Sequence, residues 1–160
     1  MDKSLLVLSA VYLVFAIPMS FMDARKFRIT LLGLVFGAIC VLGVRFGLFS
    51  GAVVPLLKNM AFATATSFLI YFCTRVLTAG GLGFGDVFFG VFSALYTGFY
   101  MNIIATVFAA LLGVLYYLFL AAIQKFKKQQ IVHRPIFAIP FVPFITAGSV
   151  LSMLLFWVIA

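Results

Sequence analysis

The chain consists of long apolar stretches separated by short polar segments. An α-helix needs about 20 apolar residues to cross a bilayer. The pattern predicts six spans, at residues 4–22, 29–49, 53–76, 86–100, 102–123 and 136–159. The first is expected to be retained rather than cleaved as a signal peptide, because no small-residue cleavage site precedes Asp23. We predict an all-α polytopic bundle that forms a single integral-membrane domain over residues 1–160.

Composition agrees with a chain embedded in the lipid bilayer. Hydrophobic residues make up 66% of the sequence and charged residues only 9%, which excludes a soluble domain. The net charge of +8 does not indicate a nucleic-acid partner, because the basic residues cluster in short loops. Cys40 and Cys73 lie in apolar stretches without CxxC spacing, and we expect them to be buried small hydrophobic residues.

The distribution of basic residues predicts an orientation. Cytoplasmic loops of membrane proteins carry an excess of lysine and arginine. With both termini outside the cytoplasmic (inner) membrane, eight basic residues are cytoplasmic and three are not. Of these three, Arg45 and Lys58 are expected to extend to the outer interface. The cytoplasmic set is Arg25, Lys26, Arg28, Arg75, Lys125, Lys127, Lys128 and Arg134.

Acidic residues are rare, and two of them mark a candidate site. The chain has three acids: Asp2 in the N-terminal tail, Asp23 where the first apolar stretch ends, and Asp86 where the fourth begins. Acids within or beside the membrane are functional candidates because they are costly there. The predicted orientation places Asp23 and Asp86 at the same, cytoplasmic face. Two adjacent carboxylates share a proton, so one can take a proton from water while the other polarises a carbonyl.

Glycines precede the second of these aspartates. Gly83 and Gly85 flank Phe84 directly before Asp86. Because glycine has no side chain, we expect these two positions to permit a tight turn and the close approach of an extended substrate.

Other interpretations of the aspartates are open. Asp86 is a favoured residue for a helix N-cap, and Asp23 is suited to pair with Arg25 or Lys26 at the interface. A small proton- or cation-binding transporter or channel component would use the same two acids, and an inactive assembly subunit would retain only the fold. No metal site and no cofactor is expected, because the sequence lacks a His/Cys/Glu cluster suited to zinc.

Three motifs carry a family resemblance. The tetrapeptide Gly-Phe-Gly-Asp at residues 83–86 has the pattern GxGD. Asp-Ala-Arg at residues 23–25, followed by Arg28 and Ile29, is similar to the pattern DxRxxRI. Residues 139–144 read Ile-Pro-Phe-Val-Pro-Phe, with Ala147 and Gly148 after them. In this order and spacing, the chain resembles the type IV prepilin and preflagellin peptidases, which are GxGD intramembrane aspartyl proteases.

The resemblance implies an activity and a site. It implies that Asp23 and Asp86 are the catalytic pair of an aspartic-type endopeptidase, and that the protein substrate is a pilin-like or flagellin-like precursor whose short basic leader is removed at the cytoplasmic face. Gly83 and Gly85 would shape the site or contact the substrate. Without paired CxxC motifs, the chain resembles a minimal, peptidase-only form.

The chain also departs from the family pattern. Thr30, Leu31 and Phe88 replace the usual Pro, Asn and Lys. Pro140 and Pro143 are predicted first of all to kink the sixth span, with a role in shaping the site as a further expectation.

Overall fold

The computed structural model describes residues 3–48, 51, 53–127 and 140–159. These residues form six α-helices and no β-strand, which confirms the predicted all-α bundle. Five of the helices are long and apolar enough to cross a membrane. The sixth, α4, has only 14 residues. The helices are α1 (Lys3–Lys26), α2 (Leu31–Leu48), α3 (Val53–Leu77), α4 (Phe84–Thr97), α5 (Phe99–Lys127) and α6 (Val142–Ile159).

The short helix α4 forms the centre of the bundle. It contacts each of the other five helices, and most of its residues are buried. At 1.5 Å per residue it is about 21 Å long, less than the roughly 30 Å of bilayer hydrocarbon. The longer helices pack around α4 and bury Asp86 near its N-terminal end, whereas Phe84 and Phe88 at that end stay about half exposed.

Interhelical hydrogen bonds between hydroxyl groups link α1, α4 and α6 to one another. The Tyr12 hydroxyl lies 3.0 Å from Ser93 Oγ, and Ser93 is also hydrogen-bonded to Ser149. Ser20 Oγ and Thr146 Oγ1 are 2.8 Å apart. In membrane bundles such bonds contribute about 0.6 kcal/mol each. Together they fix how far α1 and α6 are shifted along α4.

The outer surface of the bundle is apolar, as expected for helices in lipid. Large side chains such as Leu32 and Val158 are about three-quarters exposed (73% and 74%). Cys40 and Cys73 are exposed as well, so the prediction that they are buried is wrong. Hydrophobicity does not separate the two faces of a membrane helix, because both the core and the lipid are apolar.

Successive helices run in alternating directions, which gives the bundle two distinct ends. The C-terminus of α1 meets the N-terminus of α6 through Asp23 and Val142. At the other end, Arg45 of α2 reaches the C-terminus of α4 at Leu95. Here we call these the aspartate end and the arginine end.

Candidate active site

Asp23 lies in the last turn of α1 and is almost completely buried, with 6% of its surface exposed. Its Oδ2 accepts a hydrogen bond of 3.1 Å from the backbone N–H of Val142, the first residue of α6. The first amides of a helix have no partner within the helix and carry the positive end of its dipole. Arg25, one of the ion-pair partners considered from the sequence, instead places its guanidinium over the Phe21 ring, 4.1 Å from the centroid.

The helix that carries Asp23 is longer than the apolar stretch that predicts it. α1 continues to Lys26, whereas hydrophobicity ends at Met22. Two basic residues in the last turn favour this extension because they interact well with the negative end of the helix dipole. The helix ends at Lys26, and the next residue, Phe27, has a positive φ of 50° and donates its N–H to the Asp23 carbonyl at 2.9 Å.

Asp86 is the third residue of α4 and is also buried, with 8% exposed. Its Oδ2 accepts a hydrogen bond of 2.9 Å from the backbone N–H of Gly83, the N-cap residue. This is one half of a capping box, because glycine has no side chain with which to return the bond. Asp86 therefore stabilises the start of α4 as the third residue of the helix. It is not the N-cap residue, which was one interpretation of the sequence, because Gly83 occupies that position.

The turn between α3 and α4 is made before Gly83. Ala79 and Gly80 have positive φ values of 50° and 88°. The N–H of Gly80 donates to the Arg75 carbonyl, and that of Ala79 to the Val76 carbonyl, which is the pattern of a Schellman C-cap. Gly83 itself has φ −70° and ψ 152°, a conformation open to any residue, so the tight turn expected there lies at 79 and 80 instead.

The space beside the two motif glycines is occupied. A Cβ atom at Gly83 would lie 3.2 Å from Asp86 Oδ2, and one at Gly85 would lie 3.0 Å from Ile29 Cδ1. Gly83 thus lets the Asp86 carboxylate fold back onto the backbone. Gly85 lets Ile29, from the α1–α2 connection, pack against α4. The space that the sequence suggested for a substrate is therefore occupied by Ile29.

The fold places the two predicted aspartates at the same end of the bundle. α1 packs against α4, and the carboxylate of Asp23 interacts electrostatically with that of Asp86. The Arg75 guanidinium also interacts electrostatically with the Asp86 carboxylate. The Arg75 guanidinium donates to the Leu82 carbonyl and stacks over the Phe84 ring, 4.0 Å from its centroid, which holds the segment leading into α4.

Tyr71 of α3 is a site residue that sequence reasoning missed. It is buried, with 3% exposed, and its ring lies against Gly90, one turn beyond Asp86. The ring packs edge-on to Phe141, with centroids 6.3 Å apart, and the phenol interacts electrostatically with Asp86. No feature of the sequence distinguishes Tyr71 from the other five tyrosines of the chain.

The two prolines lie at the start of α6. Pro140 precedes the helix and Pro143 is its second residue, so the prediction that they kink the sixth span is wrong. In the first turn the missing N–H of proline costs nothing, and its fixed φ suits a helix start. Residues 136–139 of the predicted span, and 128–134 of the predicted basic loop, lie outside the described residues. Beginning at Val142, α6 directs its first amide at Asp23.

The site therefore combines two buried carboxylates on different helices, and each accepts a hydrogen bond from the backbone. Across the described ranges, no group of three or more His, Cys, Asp or Glu side chains is arranged to hold a metal ion. The arrangement suits acid–base chemistry by a carboxylate pair.

Comparison of the chain with family models, curated proteins and solved structures gave no match.

Proposed function

We propose that the protein is a membrane-embedded aspartyl endopeptidase that removes the short basic leader from type IV pilin-like or flagellin-like precursors at the cytoplasmic face of the inner membrane. The observation that carries the proposal is the pairing of Asp23 and Asp86. Two of the three acids in the chain are buried at the same end of an apolar bundle, within range for their carboxylates to interact electrostatically. Isolated capping roles would not require the two carboxylates to share one site.

The chemistry requires the pair to hold one proton. Two adjacent carboxylates do not both ionise readily. The ionised member takes a proton from the attacking water, and the protonated member donates a hydrogen bond to the scissile carbonyl, which stabilises the developing oxyanion. Collapse of the tetrahedral intermediate then breaks the C–N bond, and the carboxyl that took the proton from water returns it to the leaving amine. Backbone amides of Gly83 and Val142 each bind one carboxylate oxygen and so restrict the orientation of the two groups. The rate should have a bell-shaped dependence on pH that belongs to the pair.

A substrate helix in the bilayer would approach from the lipid side. Phe84 and Phe88 lie on the outer face of α4 next to Asp86, about half exposed (53% and 46%), with ring centroids 6.5 Å apart. They offer an apolar surface to a single-span precursor. Because Ile29 fills the space at Gly85, productive binding would require the connection between α1 and α2 to move, as loops often do when a catalytic site closes on its substrate.

The proposed substrate has a leader cut after a small residue, glycine by the family resemblance, where leader meets hydrophobic helix. A basic leader is attracted to anionic lipid by about 1 kcal/mol per residue near the surface. This attraction holds the junction at the depth of the aspartates. Glycine at the junction favours local unwinding of the helix, which exposes the carbonyl to attack.

The direct test is leader cleavage in membranes that contain each aspartate variant at matched abundance. Asp23→Asn and Asp86→Asn should each abolish the shortened product, because asparagine cannot exchange a proton. Asp2→Asn removes the same charge from the N-terminal tail and should cleave normally. Normal cleavage by Asp86→Asn would refute the aspartyl mechanism.

A second candidate, proton or cation binding by a transporter component, is favoured by one observation. The hydrogen bond between Ser20 and Thr146 places hydroxyl groups one helical turn from Asp23, and the hydroxyl network continues into the bundle. This candidate predicts Asp86-dependent proton uptake by proteoliposomes and no shortened precursor. The endopeptidase predicts the product and no uptake.

A further inference from the structure

A second polar cluster lies at the arginine end, opposite the aspartates. Arg45, in the last turn of α2, donates from Nη1 to the carbonyl oxygens of Leu95 and Tyr96 in the last turn of α4. The bundle therefore holds this guanidinium against a helix C-terminus, where a cation is favourable. Sequence reasoning expected it to extend to the interface instead.

The same cluster fixes the turn between α4 and α5. Asn59 Oδ1 accepts a hydrogen bond of 2.8 Å from the N–H of Phe99, the first residue of α5. Between the two helices, Gly98 has φ 75°, a conformation suited to glycine. A Cβ there would lie 2.9 Å from Arg45 Nη2. Arg45 and Asn59 are thus held in fixed positions on either side of the turn.

A cavity of about 670 Å³ opens beside this cluster. Arg45 and Asn59 supply polar groups to its wall, and Leu8, Leu56, Phe156 and Trp157 are among the apolar side chains that line it. Ligand sites are commonly about 300–1,000 Å³ and mostly apolar, with a few well-placed polar groups. The cavity therefore has the size and lining of a site for an amphipathic molecule.

Arg45 supplies the feature that selects the ligand. A guanidinium has five N–H donors, and the two bonds to α4 both use Nη1. The guanidinium carries three more N–H donors, on Nη2 and Nε, and a planar fork of this kind suits two oxygens of a phosphate. Among the described residues the acids are Asp23 and Asp86, at the opposite end. The half-buried charge of Arg45 therefore has no carboxylate partner in the described part of the chain.

We propose that this cavity binds a phospholipid, with its phosphate on the Arg45 fork and the start of an acyl chain against the apolar wall near Trp157. The bilayer supplies such molecules at the depth of the helix ends. A phosphodiester provides an anion that a partly desolvated guanidinium can bind. Free inorganic phosphate would leave most of the apolar wall without a partner, so the lipid fits the lining better.

Trp157 makes the proposal directly measurable, because it is the only tryptophan in the chain and lines the cavity. The purified full-length protein, in a neutral detergent, is titrated with phosphatidylglycerol or phosphatidylcholine carrying brominated acyl chains, which quench nearby tryptophan. Brominated diacylglycerol has the same chains without phosphate and serves as the matched ligand. We expect saturable quenching by the phospholipids at concentrations at least tenfold lower than for diacylglycerol.

Two variants locate the phosphate. Arg45→Gln should weaken phospholipid quenching at least tenfold and leave diacylglycerol quenching unchanged. Lys58→Gln removes an exposed cation from the same end of the bundle and should bind like the wild type. Equal quenching by diacylglycerol and phospholipid, or full phospholipid binding by Arg45→Gln, would overturn the proposal.

A third arm separates lipid from free phosphate. Millimolar inorganic phosphate should not displace the brominated phospholipid, and displacement would show that the site takes the anion alone. The comparison of lipids uses only the wild type, so it decides the matter even if Arg45→Gln fails to fold. No arm depends on peptidase activity.

Discussion

Replacing Gly90 by alanine tests the packing that joins α3 to the aspartate end. The new methyl group would enter the space of the Tyr71 ring, against Cδ2 and Cε2. Tyr71 is buried and has Phe141 on another side, so the ring has little freedom to retreat. Overpacking of this kind costs about 1–3 kcal/mol. Replacing a helical glycine by alanine also gains roughly 0.5–1 kcal/mol from backbone entropy, so the two effects oppose each other.

Gly43 provides a matched control that isolates the steric effect. It lies within α2, and a Cβ there would meet no atom within 4 Å. Gly43→Ala should therefore show only the gain in helix stability. The difference in free energy of unfolding between the two variants should be about 1–3 kcal/mol, measured by denaturant or thermal unfolding in the same detergent.

The coupling to Tyr71 can be measured by a double-mutant cycle. Combining Gly90→Ala with Tyr71→Leu removes the ring that the methyl group meets, so the two changes should be non-additive by at least about 1 kcal/mol. Under the proposed function, Gly90→Ala should also lower leader cleavage at least tenfold, because small displacements at a catalytic site are costly. If Gly90→Ala and Gly43→Ala unfold alike, the Tyr71 ring does not fill the space beside Gly90.

Two further predictions concern the whole protein. EDTA should leave leader cleavage unchanged, because the chain has one histidine and no glutamate; inhibition that added zinc reverses would contradict a metal-free mechanism. The topology can be tested with single cysteines on a background without Cys40 and Cys73. Thr30→Cys, at the aspartate end, should resist a membrane-impermeant thiol reagent in intact cells, whereas Gly51→Cys, at the arginine end, should react. Labelling of position 30 and not of position 51 would place the aspartates outside.

The number and type of the helices could be predicted from sequence because the length of an apolar stretch limits what it can form. The positions of the helix ends could be predicted less well. α1 runs past Met22 because backbone hydrogen bonding does not require apolar side chains, and Arg25 and Lys26 suit a helix C-terminus. α6 begins at Val142, later than its apolar stretch suggests, because Pro140 and Pro143 favour a start rather than a continuation.

The aspartate pair could be anticipated because acids are so rare in this chain that their placement at span ends carried most of the information. The side chains that pack around the aspartates could not be predicted. The contact of Tyr71 with Gly90, and the filling of the Gly85 space by Ile29, depend on which face each helix turns inward. In an almost uniformly apolar sequence, no polar stripe marks that face.

The two roles of Asp86, as helix cap and as proposed acid–base group, can be separated by comparing two substitutions. Asparagine keeps an oxygen that can accept the hydrogen bond from the Gly83 N–H, whereas alanine does not. One such hydrogen bond typically contributes about 1 kcal/mol, so Asp86→Ala should be less stable than Asp86→Asn by about that amount. Catalysis needs an exchangeable proton, which neither variant has, so both should be equally inactive in leader cleavage at matched abundance. If Asp86→Asn retained activity and only Asp86→Ala lost it, the carboxylate would serve only to hold the start of α4, and the catalytic assignment would fail.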